Sequence, residues 1–189
     1  MVDKKEQILA TALRLFVADG FHGTPTSKIA LEAGVANGTL FYHYKTKEEL
    51  MVALYNSIKG ELANNILSFA QAEGFITTRF KNIFIHSVYW ALKNPEKFYY
   101  IQQFNFSPHL AKVPKDIFKQ QAMPYTQLIG EGIKKKLLRQ QPEELVTALF
   151  NGQVYGVCQY LKSAGLDSGE QEKTINEAYD MVWDMLKYT

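Results

Sequence analysis

Apolar residues recur along the chain three and four positions apart, the spacing of one helix face, and no run alternates with the period of two that marks a strand. From about residue 4 to residue 19, Ile8, Ala12, Leu15 and Phe16 share one stripe, flanked by Leu9 and Leu13, and Gly20 is expected to end that helix. A short helix follows over about 27–33. Thr26 is its expected N-cap, because a hydroxyl can accept from the free N–H groups of a first turn, and Gly34 suits the left-handed residue that closes it. A second short helix covers about 36–44. The next begins at Thr46-Lys47-Glu48-Glu49, which fits a capping box, and runs through Leu50, Leu54, Ile58 and Leu62 to about Phe69.

Further on, about 78–93 reads as a long, largely apolar helix, and Asn94-Pro95 marks a boundary with proline at the first position of the next. Pro108 and Pro114 bracket a loop. Residues 115–139 are helical in pattern, with a kink or break expected near Met123 because Pro124 cannot donate to the helix ladder. Pro142 opens a helix to about Ser163, a turn follows at 165–169, and a last helix reaches about Lys187. The expected fold is all-α, with about nine helices.

Residues 34–50, GVANGTLFYHYKTKEEL, place Phe41, Tyr42, His43 and Tyr44 side by side. A helix buries one face, so consecutive rings must point in every direction. At about 100° per residue, Leu40 and Tyr44 share the inward face and Phe41 its edge, while Gly38, Thr39, Tyr42 and His43 face out. Gly38 leaves room for a close approach. Thr39 offers a methyl for a thymine methyl and a hydroxyl for a base edge or phosphate. Lys47 lies in the first turn of a helix, where a cation opposes the dipole and an anion such as phosphate would relieve the conflict. Two short helices joined at Gly34-Val35 have the layout of a helix-turn-helix, whose second helix enters the DNA major groove in known complexes.

Composition qualifies this reading. The chain has 189 residues, 47% of them hydrophobic and 21% charged, which is long enough for a real core and unlike a disordered chain. The net charge of +2 is no argument for nucleic acid, and residues 1–50 hold six basic and six acidic side chains, so any DNA contact there must depend on placement. Residues 79–139 carry eleven Lys/Arg against three acids and residues 140–189 three against eight, an asymmetry that solvated helix faces explain. The single cysteine, Cys158, excludes an intramolecular disulfide and reads as a reduced core thiol. No signal-peptide core and no apolar run of about 20 residues is present, so the protein is expected in the cytoplasm, with no membrane partner.

Thr26-Ser27-Lys28-Ile29-Ala30, Ala33-Gly34-Val35, Gly38-Thr39-Leu40-Phe41-Tyr42-His43-Tyr44, Lys47 and Leu50 together resemble the signature of the TetR family of bacterial transcriptional regulators. The detailed likeness covers about residues 5–55; the rest agrees only as an all-helical layout. The resemblance implies a three-helix DNA-binding domain at 1–46. It also implies a helical effector-binding and dimerisation domain at 47–189, with the helix 47–69 connecting them, and a homodimer on a near-palindromic operator. Carried over by position, Thr26, Tyr42, His43 and Lys47 would contact phosphate, and Ser27, Lys28, Asn37, Gly38 and Thr39 would lie at or near bases. Phe41 departs from the tyrosine many members carry there, so that hydroxyl contact is absent.

In the second part, residues 80–106 are rich in rings. A core needs no polar groups at such positions, whereas an effector pocket uses a few to orient its ligand. Phe84, His86, Ser87, Tyr89, Trp90, Phe104, Tyr125 and Gln153 are the expected lining, and a packed aromatic core is the competing reading. An aromatic lining suits a flat or hydrophobic effector, with a cation over a ring or an anion drawn by Arg79 and Lys81 as the other options. The last two helices carry an apolar stripe. Phe150, Val154, Val157, Leu161, Ile175, Val182, Trp183 and Leu186 are expected to form a dimer interface, with packing inside one chain as the alternative. The four histidines are far apart and have no Cys partner, so neither a metal site nor another cofactor is expected. No phosphate loop or nucleophile elbow appears, and an enzyme built on the pocket would have His86 as its obvious candidate. The reading is a ligand-released repressor rather than an enzyme; a DNA-binding protein of the same fold controlled by a protein partner is the alternative.

Overall fold

The computed structural model describes residues 3–188. Among these, nine α-helices and one 3-10 helix make up the regular structure, with no strand beyond an isolated bridge between Leu138 and Lys187. The helices are α1 (Lys4–Gly23), α2 (Thr26–Glu32), α3 (Asn37–His43), α4 (Lys47–Ala70), α5 (Ile76–Lys93), α6 (Pro95–Asn105), α7 (Lys115–Lys134), α8 (Glu143–Ala164) and α9 (Ser168–Leu186); the 3-10 helix is Pro108–Lys112.

Local chemistry sets most of the ends. Asp3 caps α1 by accepting from the Lys5 N–H at 3.0 Å. Gly20 breaks the helical run inside α1 at φ 73° and ψ 171°, a conformation that favours glycine, so the expected stop is there although three helical residues follow it. Thr24 secures the bend: its buried hydroxyl faces the carbonyls of Gly20 at 2.8 Å and Leu15 at 3.2 Å. Thr26 is not the cap of α2 but its first residue; Pro25 holds the cap position and makes no side-chain cap bond. Gly34 takes the left-handed conformation at φ 66°, and the Val35 N–H reaches back to the Ala30 carbonyl at 3.0 Å. At α4, Thr46 Oγ1 accepts from the Glu49 N–H at 3.1 Å, and the Glu49 carboxylate accepts from Lys45 N–H at 2.8 Å, one residue earlier than a standard capping box. α7 continues through position 124 without the expected break. Tyr125, Leu128 and Ile129 bury themselves on the following turns, and that packing outweighs the lost ladder bond. α9 has a complete capping box, with Asp167 and Glu170 bonding each other's backbone at 2.9 and 3.1 Å.

By compactness the chain forms two units. One combines residues 1–60 with 94–118, the other 61–93 with 119–189. This differs from a cut at residue 46 because aromatic packing draws α6 to the N-terminal helices. In the first unit Phe21 meets Phe16 and Tyr100 edge-on at 5.5 and 5.6 Å, and Tyr55 stacks on Phe104 at 4.3 Å. Two phenols fasten α4 to α6: Tyr55 donates to Asn105 Oδ1 at 2.8 Å and Tyr100 to the Met51 carbonyl at 2.9 Å.

In the second unit α5, α7, α8 and α9 share a core of rings. Phe84 meets Phe150 edge-on at 5.6 Å, Tyr125 meets Phe150 at 6.0 Å, and Phe80 lies 6.1 Å from Trp183. Tyr179 donates to the Thr77 carbonyl at 3.1 Å. Arg79 donates through Nε and Nη2 to the Ala70 carbonyl at the end of α4 and through Nη1 to Glu131 on α7 at 3.0 Å.

Candidate nucleic-acid interface

The helix wheel of α3 holds in three dimensions. Leu40 is fully buried and Tyr44 is 4% exposed, whereas Tyr42 is 76% and Phe41 41% exposed. Asn37, Gly38 and Ser27 are exposed, and Thr26, Lys28, Thr39, His43 and Lys47 are half-buried. All nine expected DNA contacts therefore reach solvent, on α2, α3 and the first turn of α4. A side chain built at Gly38 would meet nothing within 4 Å, so the surface there is open to a close partner.

Two features of this surface were not read from the sequence. The Lys45 ammonium sits over the Tyr42 ring at 5.8 Å, and the Tyr42 ring meets His43 edge-on at 5.4 Å, so a cation and two rings form one exposed ladder. The spacing of Lys45 three residues after Tyr42 was the available signal. Second, Lys28 is engaged: its Nζ lies 2.8 Å from Asp19 on α1, and next to it Arg14 on α1 pairs with Glu32 on α2 at 2.5 Å. The Asp19 hydrogen bond holds the Lys28 pKa above its ordinary value. Lys47 contrasts with it. It has no ion-pair partner among the described residues, and desolvation lowers its pKa, which leaves a partly dehydrated cation facing out.

The expected effector lining is not one cluster. Phe84, Ser87, Trp90 and Tyr125 are buried in the second unit. His86 stacks on Phe69 at 3.7 Å, and desolvation lowers its pKa. Tyr89 and Gln153 are exposed, and Phe104 belongs to the first unit, beneath Tyr55. Ser87 lies near the Tyr125 phenol, which burial pushes up to about 12, and Ser87 Oγ is buried without a regular hydrogen-bond partner among the described residues. Arg79 is not free for an anionic effector, because its guanidinium is spent on Ala70 and Glu131. An open groove of about 860 Å³ lies elsewhere, within the first unit, between Thr46, Glu49, Val52 and Asn56 on one side and Pro108, His109 and Lys112 on the other.

Six residues of the expected dimer stripe need correction, because they are already buried in the single chain. Phe150, Val154, Leu161, Ile175, Val182 and Leu186 are buried within the single chain, and Val157 and Trp183 are half-buried. They pack α8 and α9 into the core. A second stripe on α8, Leu145, Leu149, Gly152, Gly156 and Tyr160, repeats at the same helical spacing and is exposed.

A helix-turn-helix with a solvent-facing second helix, carried by a two-unit all-α chain, defines the class of a DNA-binding transcriptional regulator. Residues 8–54 match the model of the bacterial regulatory proteins of the tetR family. A TetR family transcription regulator from Shewanella sp. PV-4 superimposes with a TM-score of 0.88 at 31% identity, over 99% of this chain and all of that one. The chain belongs to the TetR family. A second TetR family structure, from Marinobacter aquaeolei VT8, shares the fold at a TM-score of 0.84 and 22% identity, over 98% of this chain and 96% of that one. Two curated regulators match a shorter segment of the chain. The fatty acid metabolism regulator protein of Bacillus subtilis is 36% identical over 58 residues, and the transcriptional regulator QacR of Staphylococcus aureus is 38% identical over 52. Those matches cover 31% and 28% of this chain, and 30% and 28% of the respective relatives. Among the described residues no helix is long and apolar enough to cross a membrane.

Proposed function

We propose that the protein is a repressor that binds a near-palindromic operator as a homodimer in the cytoplasm and is released by a small hydrophobic or aromatic effector. The observation that carries the DNA part is the exposed face of α3, with Tyr42 three-quarters exposed beside an open surface at Gly38. Tyr42, His43, Thr26 and Lys47 contact phosphate; Ser27, Lys28, Asn37, Gly38 and Thr39 lie at or near the bases. The functional division remains at residue 46, with α4 as the connection. The dimer forms through the exposed α8 stripe, where Gly152 and Gly156 allow close approach of a second copy. Effector binding among the rings of α5, α7 and α8 displaces α4, and the two recognition helices lose the spacing of about 34 Å that successive major grooves require. That shift is bounded by the effector's differential affinity for the two forms.

The curated relatives match over less than a third of this chain and of their own length, so the likeness transfers no effector to it. One observation favours the alternative of control by a protein partner: Phe84 and Tyr125, expected to line a pocket, each meet the Phe150 ring directly. A thermal-shift screen with flat and aliphatic hydrophobic compounds separates the two, since only an effector pocket gives a concentration-dependent rise. For DNA, a duplex recovered by selection from a random library serves as operator. Tyr42→Ala combined with Lys47→Ala should weaken its binding about a hundredfold, the sum of two contacts of ~1–2 kcal/mol each. Unchanged affinity would show that the reading helix is misassigned.

A further inference from the structure

Lys28 stands where the family likeness puts a group at or near the bases, yet its ammonium is held 2.8 Å from the Asp19 carboxylate. The pair is one end of a four-charge chain. Lys28 and Glu32 are four apart on α2, Asp19 and Arg14 lie on α1, and the signs alternate from Asp19 through Lys28 and Glu32 to Arg14. Glu32 supports the charged form of Lys28 and Arg14 opposes it, so the four groups act on one another beyond the two direct contacts. Lys47, in contrast, has no ion pair among the described residues, only the more distant charge of Glu48, and Lys45 lies over a ring, so the three cations are held in three different ways.

We infer that Asp19 sets the DNA affinity of this protein by competing for Lys28 with the phosphates that flank the bases α2 approaches. This rests on the DNA-contact reading above. In the free chain Lys28 is a positioning residue that ties α2 to α1. A phosphate that recruits it must first displace Asp19, so the Lys28 contact adds little to affinity as the protein stands. Removing the Asp19 charge while keeping its shape releases the ammonium for one further phosphate, and each phosphate neutralised steepens the salt dependence of binding by about 0.9 in log–log slope.

The test uses the full chain and the selected duplex, with affinity measured by fluorescence anisotropy between about 50 and 200 mM salt. Asp19→Asn should tighten binding about three- to fivefold at the low-salt end, and the gain should shrink about three- to fourfold across that range. Lys28→Met alone should change affinity less than about threefold. In Asp19→Asn with Lys28→Met the gain should vanish, with Glu6→Gln as a control for charge removed from α1 away from this pair. Circular dichroism and thermal midpoints of each variant confirm the fold. A gain that persists without Lys28, or that Glu6→Gln reproduces, overturns the inference in favour of general electrostatics. No gain with Asp19→Asn overturns it outright. A wild-type chain that retains no duplex would sink the DNA reading together with this inference; a wild-type chain that binds while Asp19→Asn is inert sinks this inference alone.

Discussion

The two units place their aromatic side chains differently, although each leaves some rings exposed. In the second, Phe80, Phe84, Tyr125, Phe150 and Tyr179 turn inward and meet ring to ring. In the first, rings are divided: Phe16, Tyr55, Tyr100 and Phe104 build a core, and Tyr42 and Phe41 are left on the surface of α3. The family match covers residues 8–54, which include the exposed rings of α3, while the whole chain is recovered through its fold. An outward ring needs a particular partner, whereas an inward ring needs only a neighbour of suitable volume.

The largest expected effect is on the inward side. Phe150→Ala should cost about 3–5 kcal/mol in chemical denaturation, because it removes a ring touched by Phe80, Phe84 and Tyr125. A cost under ~1 kcal/mol would mean that the second unit is loosely filled, and would strengthen the case for an effector cavity there. Tyr42→Ala is the matching change on the outward side. It should leave stability within about 0.5 kcal/mol while carrying its share of the loss in DNA binding. Tyr44 lies between these cases. Its phenol is buried without a hydrogen-bond partner among the described residues, and burial pushes it up to about 12. Tyr44→Phe should therefore raise stability by about 1 kcal/mol, read from the denaturation midpoint; destabilisation would show that the hydroxyl has a partner.

The smallest effect concerns His86, stacked on Phe69 in the second unit. Desolvation lowers its pKa below the unfolded value of about 6.5, so the folded state favours the neutral ring. Its contribution to stability is complete above that value and is lost as pH falls below it. The thermal midpoint should drop modestly on acidification from about pH 7.5 to 5.5, less so in His86→Gln; equal drops would assign the effect to other groups.

How much was legible follows from the same contrast. The wheel of α3 could be read because Leu40 and Tyr44 are unambiguous on a short helix with one buried face, and Gly34 announces its turn. The stripe on α8 could not. Phe150, Val154 and Leu161 lie on one side and Leu145, Leu149 and Tyr160 on another, so apolar periodicity alone did not tell which side faces the core. Phe104 was misplaced because its neighbours Tyr55 and Phe21 are distant in sequence. The Lys28–Asp19 pair was missed because it joins two helices at a spacing that no single-helix rule covers.

The tie between Tyr55 and Asn105 and that between Tyr100 and the Met51 backbone have a practical consequence for anyone who wishes to recombine such regulators. A hybrid made by joining one protein's residues 1–60 to another's remainder would import a foreign α6 beneath its own α1 and α4. Phe16, Phe21 and Tyr55 would then rest on side chains never matched to them. A transferable reading head must carry α6 and the 3-10 helix along, as a graft of two separate stretches of chain, 1–60 and 94–118.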